Sequence, residues 1–361
     1  EPTYALTIAP SGMTIDENTG EISWAPTATG DFDVTVEARN VMGFDPQSFA
    51  IHVTPAPPRV TDGQLVLYTF QEGQDPSIVH DVSGVGTPLD LSIQDPANTH
   101  WISGGGLAID ATTIVDSGVP ASKIIEACQE SKEITIEDWI QPANATQSGP
   151  ARIVTLSSNS WSRDFTLGQS VSTYNTRLRT TATSANGEPS LTAGTVATDA
   201  PSHLVYTRNA AGVAHFFLNG TQVGNRTVGG NFSNWADSFR FALANEVGWE
   251  DRTWLGDLFL VAVFDRALSQ TEILQNHAAG LPSAAPVIVQ QPADETVTAG
   301  QTASFSILAA GTAPLTYQWQ WLDDTTWLDI PDATSATYTT PPTSLPDDGT
   351  QFRCQVTNPL G

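Results

Sequence analysis

Lysine is nearly missing from this sequence: only Lys123 and Lys132 occur in 361 residues. Basic residues number 14 against 39 acidic ones, a net charge of −25. A field of that sign repels nucleic-acid phosphates and anionic membrane surfaces, and no nucleic acid is expected as a partner. It suits solubility in salty surroundings and the recruitment of divalent cations, and the lysine-poor, Asp- and Thr-rich make-up points to a marine or salt-adapted secreted protein. Long apolar runs are missing as well. The longest stretch, Leu255 to Ala267, is broken by Asp257 and Asp265, short of the about 18 unbroken residues of a membrane span. No signal-peptide pattern opens the chain, which starts at Glu1 and is expected to be mature or trimmed. The two cysteines, Cys128 and Cys354, stand far apart and read as small apolar side chains, not as a bridge. No disulfide framework or Cys/His zinc spacing follows from them. The six histidines are scattered, and no H-E-x-x-H, G-x-S-x-G, P-loop or dinucleotide-binding glycine pattern occurs.

What is present is a β pattern. Proline (24) and glycine (28) are frequent, short β-branched runs recur between turn residues, and 40% apolar residues are enough for real cores. The length sets two or three domains. One full helix is expected, SQTEILQNHAA over Ser269 to Ala279, where Ser269 and Glu272 make a capping box and Gly280 a stop. A shorter helical turn is expected over Ala121 to Ser131, with Ile124, Ile125 and Cys128 on one side. TPAPPRV (Thr54–Val60) and GLPSAAPVIVQQPAD (Gly280–Asp294) read as stiff, extended spacers, and they divide the chain into 1–56, 57–283 and 284–361. The fold class is all-β: several sandwiches, the central one closed by one short C-terminal helix.

Each segment carries a resemblance. In residues 1–56 the run Pro10, Gly12, Met13, Ile15, Asp16, Thr19, Gly20, Ile22, Trp24 and Pro26 resembles the second half of a bacterial cadherin-like repeat of Ig type, which implies that the repeat's first strands are missing here. In 57–283, Tyr68, Phe70, Glu72, Gly73, Asp81, Ser83 and Gly84 resemble the opening of laminin-G-like, concanavalin A-like lectin domains. EITIEDWIQPA, HLVYTRNAAGVAHFFLNGTQV and WLGDLFLVAVFDRALSQTEI follow in the right order. The resemblance implies a jelly roll of two curved antiparallel sheets; Leu218–Gly220 is a hairpin turn by its own chemistry, since Asn-Gly suits type I′. Residues 284–361 resemble a bacterial Ig-like domain that lacks its last strand. Trp319 fits the buried central tryptophan and Cys354 the late-strand cysteine, Ile307 stands where its disulfide partner would be, and Phe352 replaces the corner tyrosine.

KEITIEDWIQPA poses the functional question. Glu133, Thr135, Glu137 and Trp139 alternate on one face, with Ile134, Ile136 and Ile140 as core. Laminarinase-like glycosidases of similar fold use E-x-D-x-E strands on the concave face, but Thr135 replaces the middle acid. Residues four apart on a strand are also ~13 Å apart, whereas a retaining pair needs carboxyls ~5 Å apart. No enzymatic activity is expected, with catalysis through Glu133 and Glu137 kept as an alternative. The same face is a candidate sugar contact, Trp139 stacking on a ring while the acids accept hydroxyl hydrogen bonds, or a plain polar face on the concave side.

Glu72, Asp75 and Asp81 flank a glycine-rich loop and are candidate calcium ligands, as hard oxygens and as the resemblance implies. SWSRDF, TRLRT and ANEVGWEDRTW gather Trp161, Arg163, Arg177, Arg179, Asn245, Glu246, Trp249, Asp251, Arg252 and Trp254. Arg177 and Arg179 alternate and are expected on one strand face. With Trp249, Arg252 and Trp254 they suit a carboxylated or sulfated sugar, or equally buried ion pairs with Glu246 and Asp251. The chain is therefore expected to be a secreted or cell-surface modular protein, bacterial by its resemblances. Its central domain would bind polysaccharide or a surface glycan for adhesion, with the flanking sandwiches as spacers and calcium as a possible cofactor. The alternatives are a structural subunit of an extracellular fibre or sheath, whose partners would be neighbouring subunits, and a non-catalytic part of a larger glycan-degrading enzyme.

Overall fold

Alternation of apolar and polar residues produces strands nearly everywhere in the computed structural model, which describes residues 2–24, 26, 29–71, 77–102, 104–248, 252–282, 286–311 and 315–358. The chain divides into two compact units, Glu1–Pro57 and Pro58–Gly361. No helix among the described residues is long and apolar enough to cross a membrane.

The first unit has β1 (Thr3–Ile8), β2 (Thr14–Ile15), β3 (Ile22–Ser23), β4 (Gly30–Asn40) and β5 (Gly43–Val53). An antiparallel sheet runs β1-β4-β5, and β2 and β3 form a small hairpin. Asp16 makes the turn of that hairpin: its Oδ1 accepts from the amides of Asn18 (2.9 Å) and Thr19 (2.8 Å). Trp24 packs edge-on against Phe32 at 4.9 Å.

In the second unit come β6 (Gln64–Tyr68), β7 (Ile78–Val79), β8 (Leu91–Ile93), β9 (Thr99–Trp101), β10 (Leu107–Ile109), β11 (Val115–Pro120), α1 (Ser122–Ser131), β12 (Ile134–Pro142), β13 (Ala151–Asn159), β14 (Ser162–Ser170) and β15 (Thr173–Leu178). They are followed by β16 (Leu191–Ala193), β17 (Ser202–Arg208), β18 (Val213–Leu218), β19 (Thr221–Thr227), β20 (Arg240–Leu243), β21 (Gly256–Phe264) and α2 (Gln270–Ala279). The first sheet runs β19-β18-β17-β12-β21-β10-β9, with β6 also on β21, and the second β16-β15-β14-β13-β20-β11-β8-β7. Their facing sides make the main core, in which Ile134, Ile136 and Ile140 of β12 meet Leu156, Phe165, Tyr174 and Phe241 of the second sheet. α1 adds Ile124, Ile125 and Cys128 to this core. The Asn219-Gly220 turn has φ of 49° and 74°, the left-handed pair that a type I′ hairpin demands.

The expected capping box is present at α2, where Ser269 and the Glu272 side chain satisfy each other's amides. α2 lies on the outer face of the first sheet. Leu268 and Ile273 pack there on Trp139, Val205, Phe217, Leu260, Ala262 and Phe264, a second, smaller core.

The C-terminal strands are β22 (Val287–Gln290), β23 (Ser304–Ser306), β24 (Leu308–Ala310), β25 (Thr316–Asp323), β26 (Thr326–Asp329), β27 (Thr337–Thr339) and β28 (Phe352–Thr357). They pair as β22-β24, β23-β27 and β26-β25-β28. Trp319 is fully buried beside Phe305 and Tyr338, its Nε1 donating to the Ser335 carbonyl at 2.9 Å. Cys354 is opposite Trp319 in register, and both cysteines are free thiols.

An acidic residue breaks the apolar rule of this core. Asp138 faces the main core between Ile136 and Ile140, opposite Leu204 and Val261, and neither carboxyl oxygen meets a hydrogen-bond partner among the described residues. Burial first, then the Glu137 charge, pushes its carboxyl well above the usual range. The folded state thus keeps a proton that the unfolded chain releases above pH about 4, so stability falls as pH rises beyond that point. Asp138→Ala is expected to raise the unfolding free energy by ~1–3 kcal/mol at pH 8 and by less at pH 4. Denaturant titrations at the two pH values check this, and equal or lower stability of the variant at pH 8 would contradict it.

Candidate functional site

The face of β12 that carries Glu133, Thr135, Glu137 and Trp139, expected as concave-side surface, is covered by α2 and the segment leading into it. The amides of Ala210 and Ala267 donate to Glu133 at 2.9 and 3.0 Å. Thr135 Oγ1 donates to the Arg266 carbonyl (2.7 Å) and accepts from the Leu268 amide (3.0 Å). Glu137 is wholly buried; its Oε2 accepts from Asn276 of α2 at 2.8 Å, and its Oε1 lies 2.7 Å from His203 Nε2 and against the Arg59 guanidinium. Burial pushes Glu137 up, but His203, Arg59 and Asn276 outweigh it and hold the carboxyl below its usual value. Trp139 is buried in a parallel group with His203 (4.9 Å) and His277 (5.5 Å). Arg59 also donates to the carbonyls of Asn276 (3.2 Å) and Gly280 (3.1 Å) at the C-terminus of α2, where a cation is favoured. Val60 donates to Asn276 Oδ1 at 2.8 Å, so the end of the first proline-rich spacer is tied to the helix. The two glutamates are each committed to separate partners and share no cleft.

Asp81 is occupied by donors. Its oxygens accept from the amides of Leu67 (3.2 Å), Ser83 (3.1 Å) and Leu89 (3.1 Å) and from Lys123 Nζ at 2.6 Å. A carboxylate filled by an ammonium and three N–H groups does not suit a divalent cation. Glu72 and Asp75 lie outside the described residues. Among the described residues no group of three or more His, Cys, Asp or Glu is arranged to hold a metal ion.

The outer face of the second sheet is different: α2 does not reach it, and it is polar. Arg152 on β13 and Arg163 on β14, 1% and 0% exposed, close on buried Glu246, with Arg152 Nε 2.8 Å and Arg163 Nη1 3.7 Å from Glu246 Oε2. Ser157 donates to the other Glu246 oxygen. Arg177 on β15 pairs with Glu188 at 3.2 Å and donates to Asn175 Oδ1 at 3.2 Å. The Arg152 amide donates to the Arg252 carbonyl at 2.8 Å, which brings the Arg252 segment alongside. Arg179 does not share this face: β15 ends at Leu178, and Arg179 instead lies 3.9 Å from Asp164. Trp254, fully buried, belongs to the main core and donates from Nε1 to Gln169 at 3.1 Å. Trp249 and Asp251 lie outside the described residues. Trp161, at the tip of the β13–β14 hairpin, is 73% exposed.

Residues 116–274 match the family model of the concanavalin A-like lectin/glucanases superfamily. The central domain is concanavalin A-like. Residues 2–54 match the family described as "Putative Ig domain". Strands β6 to β10 precede the matched segment, yet they pair into the two sheets of the concanavalin A-like domain. A curated relative, endoglucanase C of Cellulomonas fimi, is 38% identical over 87 residues, 24% of this chain and 8% of that protein. The chain thus spans a small fraction of that relative's length. Similar solved structures include the binding domain of botulinum neurotoxin serotype C1 (12% identity, TM-score 0.45, covering 62% of this chain and 54% of that one). Another is domain 4 of a GH43 extracellular arabinanase from Geobacillus stearothermophilus in complex with arabinotriose (14%, TM-score 0.41, 59% and 98%).

Arg152, a buried cation of the concanavalin A-like domain, is not among the candidates the sequence offers. Its signal was a lone arginine inside the apolar run ARIVTL. Such a residue, on a strand that buries both faces, requires a buried partner.

Proposed function

We propose that the concanavalin A-like domain is a non-catalytic carbohydrate-binding module whose contact surface is the outer face of the second sheet. The observation that carries the reading is the contrast between the two outer faces. One is sealed by α2; the other carries Arg177 and Arg252, both partly exposed, and the exposed ring of Trp161 at its end offers stacking for a sugar. The commitment of Glu133 and Glu137 to separate structural partners supports the absence of catalysis. On this reading the chain is a segment of a secreted or surface-attached protein that holds polysaccharide, and several weak modules would act together through avidity. Screening the whole chain against an array of oligosaccharides tests it. Binding is expected to persist in EDTA, because Asp81 is already filled, and to fall about tenfold in Trp161→Ala, a loss of ~1.4 kcal/mol. Silence across the array, or undiminished binding by the Trp161 variant, would sink it.

A second reading, a fibre subunit, is favoured by β5. This strand is eleven residues long, lies at the edge of its sheet among the described residues, and exposes Phe44 and Phe49. Sedimentation velocity separates the two: a monomer at all concentrations removes the fibre.

A further inference from the structure

We propose that α2 is an acid-released latch: protons taken up by His277 and His203 in mildly acidic surroundings drive the helix off the first sheet and free the chain at both ends of the domain. The proposal is independent of the carbohydrate reading. Three rings join the helix to the sheet: Trp139 from β12, His203 from β17 and His277 from α2. They lie nearly parallel in pairs, with centroids 4.9, 5.5 and 5.4 Å apart and planes within 20° of one another. Both imidazoles are set up to be neutral. His203 is wholly buried, and the Glu137 carboxylate, 2.7 Å from Nε2, fixes the ring's one proton there. Its Nδ1 is buried with no partner among the described residues, and so is Nδ1 of half-buried His277. The imidazolium form of either ring places an N–H on that nitrogen, where no acceptor meets it, and a buried unpaired donor is costly.

The surrounding charges point the same way. Among the described residues β12 presents Glu137 to the stack and the segment before β6 presents Arg59, which pairs with it. Glu133, also on β12, is committed to the amides of Ala210 and Ala267. β21 contributes the apolar Leu260, Ala262 and Phe264. His215 on β18 is held by Gln222 at 2.8 Å, and the β18–β19 turn brings Gly220, whose Cβ would come within 3.3 Å of His277 Cδ2. Asp62 and, on the helix itself, Glu272 both pair with Arg266, at 3.1 and 2.8 Å. Glu137 and Arg59 cancel, so each proton added to the stack is uncompensated, and two imidazoliums would stand 5.4 Å apart. Burial first, and His203 second, pull His277 below the usual histidine value of 6.5. Docked α2 thus gives up a proton that the free helix binds below that value, so docking weakens as pH falls through about 6.5. Glu137, held below 4.5, stays charged throughout this window and is not the sensor. Release undoes more than the helix. Arg59 donates to the carbonyls of Asn276 and Gly280, Val60 donates to the Asn276 side chain, and the Pro58 carbonyl accepts from Gln275 at 2.7 Å. The chain's entry to the domain and its exit are clasped at one end of α2, and both come loose with it.

Hydrogen exchange of the whole chain at pH 7.5 and pH 5.5, corrected for the intrinsic exchange rate at each pH, tests the proposal. Protection of the amides of Ile273 to Ala279 is expected to fall about tenfold or more between the two, while that of β13 and β14 stays within about twofold. His277→Phe keeps a ring in the stack and removes the proton site, and its helix is expected to stay protected at both pH values. Melting curves at pH 7.5 confirm that the variant is folded; should it fail to fold, His277→Asn takes its place. Unchanged helix protection in the parent chain overturns the latch. An equal fall in the folded His277 variant overturns the histidine as its sensor. A loss of the same size in α2, β13 and β14 overturns local release, since the whole domain then opens together.

Discussion

Glu246→Ala is expected to lower the melting temperature of the concanavalin A-like domain by roughly 10 °C or more. The side chain is fully buried and accepts from Arg152, Ser157 and the Val247 amide, with Arg163 beside it. Its removal leaves two buried guanidiniums without a counter-charge, and breaking a buried pair in this way costs ~3–5 kcal/mol. For a domain of this size each kcal/mol corresponds to ~2–4 °C. Glu246→Gln keeps the shape and part of the hydrogen bonding and is expected to fall in between. Joint replacement of Glu246, Arg152 and Arg163 by apolar residues of similar volume is expected to recover much of the loss, because the desolvation cost of all three charges disappears with them. Differential scanning calorimetry decides the matter; a Glu246→Ala melting point within 2 °C of the parent would show that the cluster is solvated and that its burial is not what stabilises this end of the sheet.

Glu137→Ala is expected to detach α2 from the first sheet. The carboxylate joins the strand to Asn276 on the helix, to Arg59 before the domain's first strand, and to His203 on β17. Without it three buried or half-buried polar groups lose their acceptor together, again at ~3–5 kcal/mol. Hydrogen exchange is the direct measurement: amides of Ile273 to Ala279 should lose protection before those of β13 and β14, and a uniform loss over the whole domain would argue against a local latch. Glu133→Ala, which gives up two amide bonds at a partly exposed site, should cost only about 1–2 kcal/mol. A pH dependence follows from the sign of the Glu137 shift. Its carboxyl is held below the unfolded value of 4.5, so the stabilisation is complete above that pH and is lost as pH falls through the folded value. The parent chain should therefore lose more stability than Glu137→Ala between pH 5 and pH 3.

The two predictions concern features that were unequally visible beforehand. α2 was readable to within a residue, because a capping box and a stop glycine are local chemistry carried by Ser269, Glu272 and Gly280. The Leu218–Gly220 turn was readable for the same reason. So was the burial of Ile134, Ile136 and Ile140, since strand alternation has a fixed period. The function of the opposite face was not. Alternation says that Glu133, Thr135, Glu137 and Trp139 share a side; it does not say what packs there, and α2 arrives from the far end of the domain. Arg177 and Arg179 show the limit of the same rule. Residues two apart face one way only while the strand continues, and β15 stops between them. Asp81 was chosen as an oxygen ligand by its loop; the lysine that fills it comes from α1.

The sequence by itself determined the secondary structure, the jelly-roll family of the central domain, the acidic balance of charge, and the missing acid at Thr135. These rest on short-range patterns or on composition, which the chain carries wherever it folds. Only the tertiary structure decided which outer face is sealed and which is open. It alone showed that the glutamates of KEITIEDWIQPA anchor a helix, and that arginines on two neighbouring strands close on one buried carboxylate. Those outcomes depend on contacts between residues far apart in the chain, whose pairing is set by sheet register and by the packing of α2.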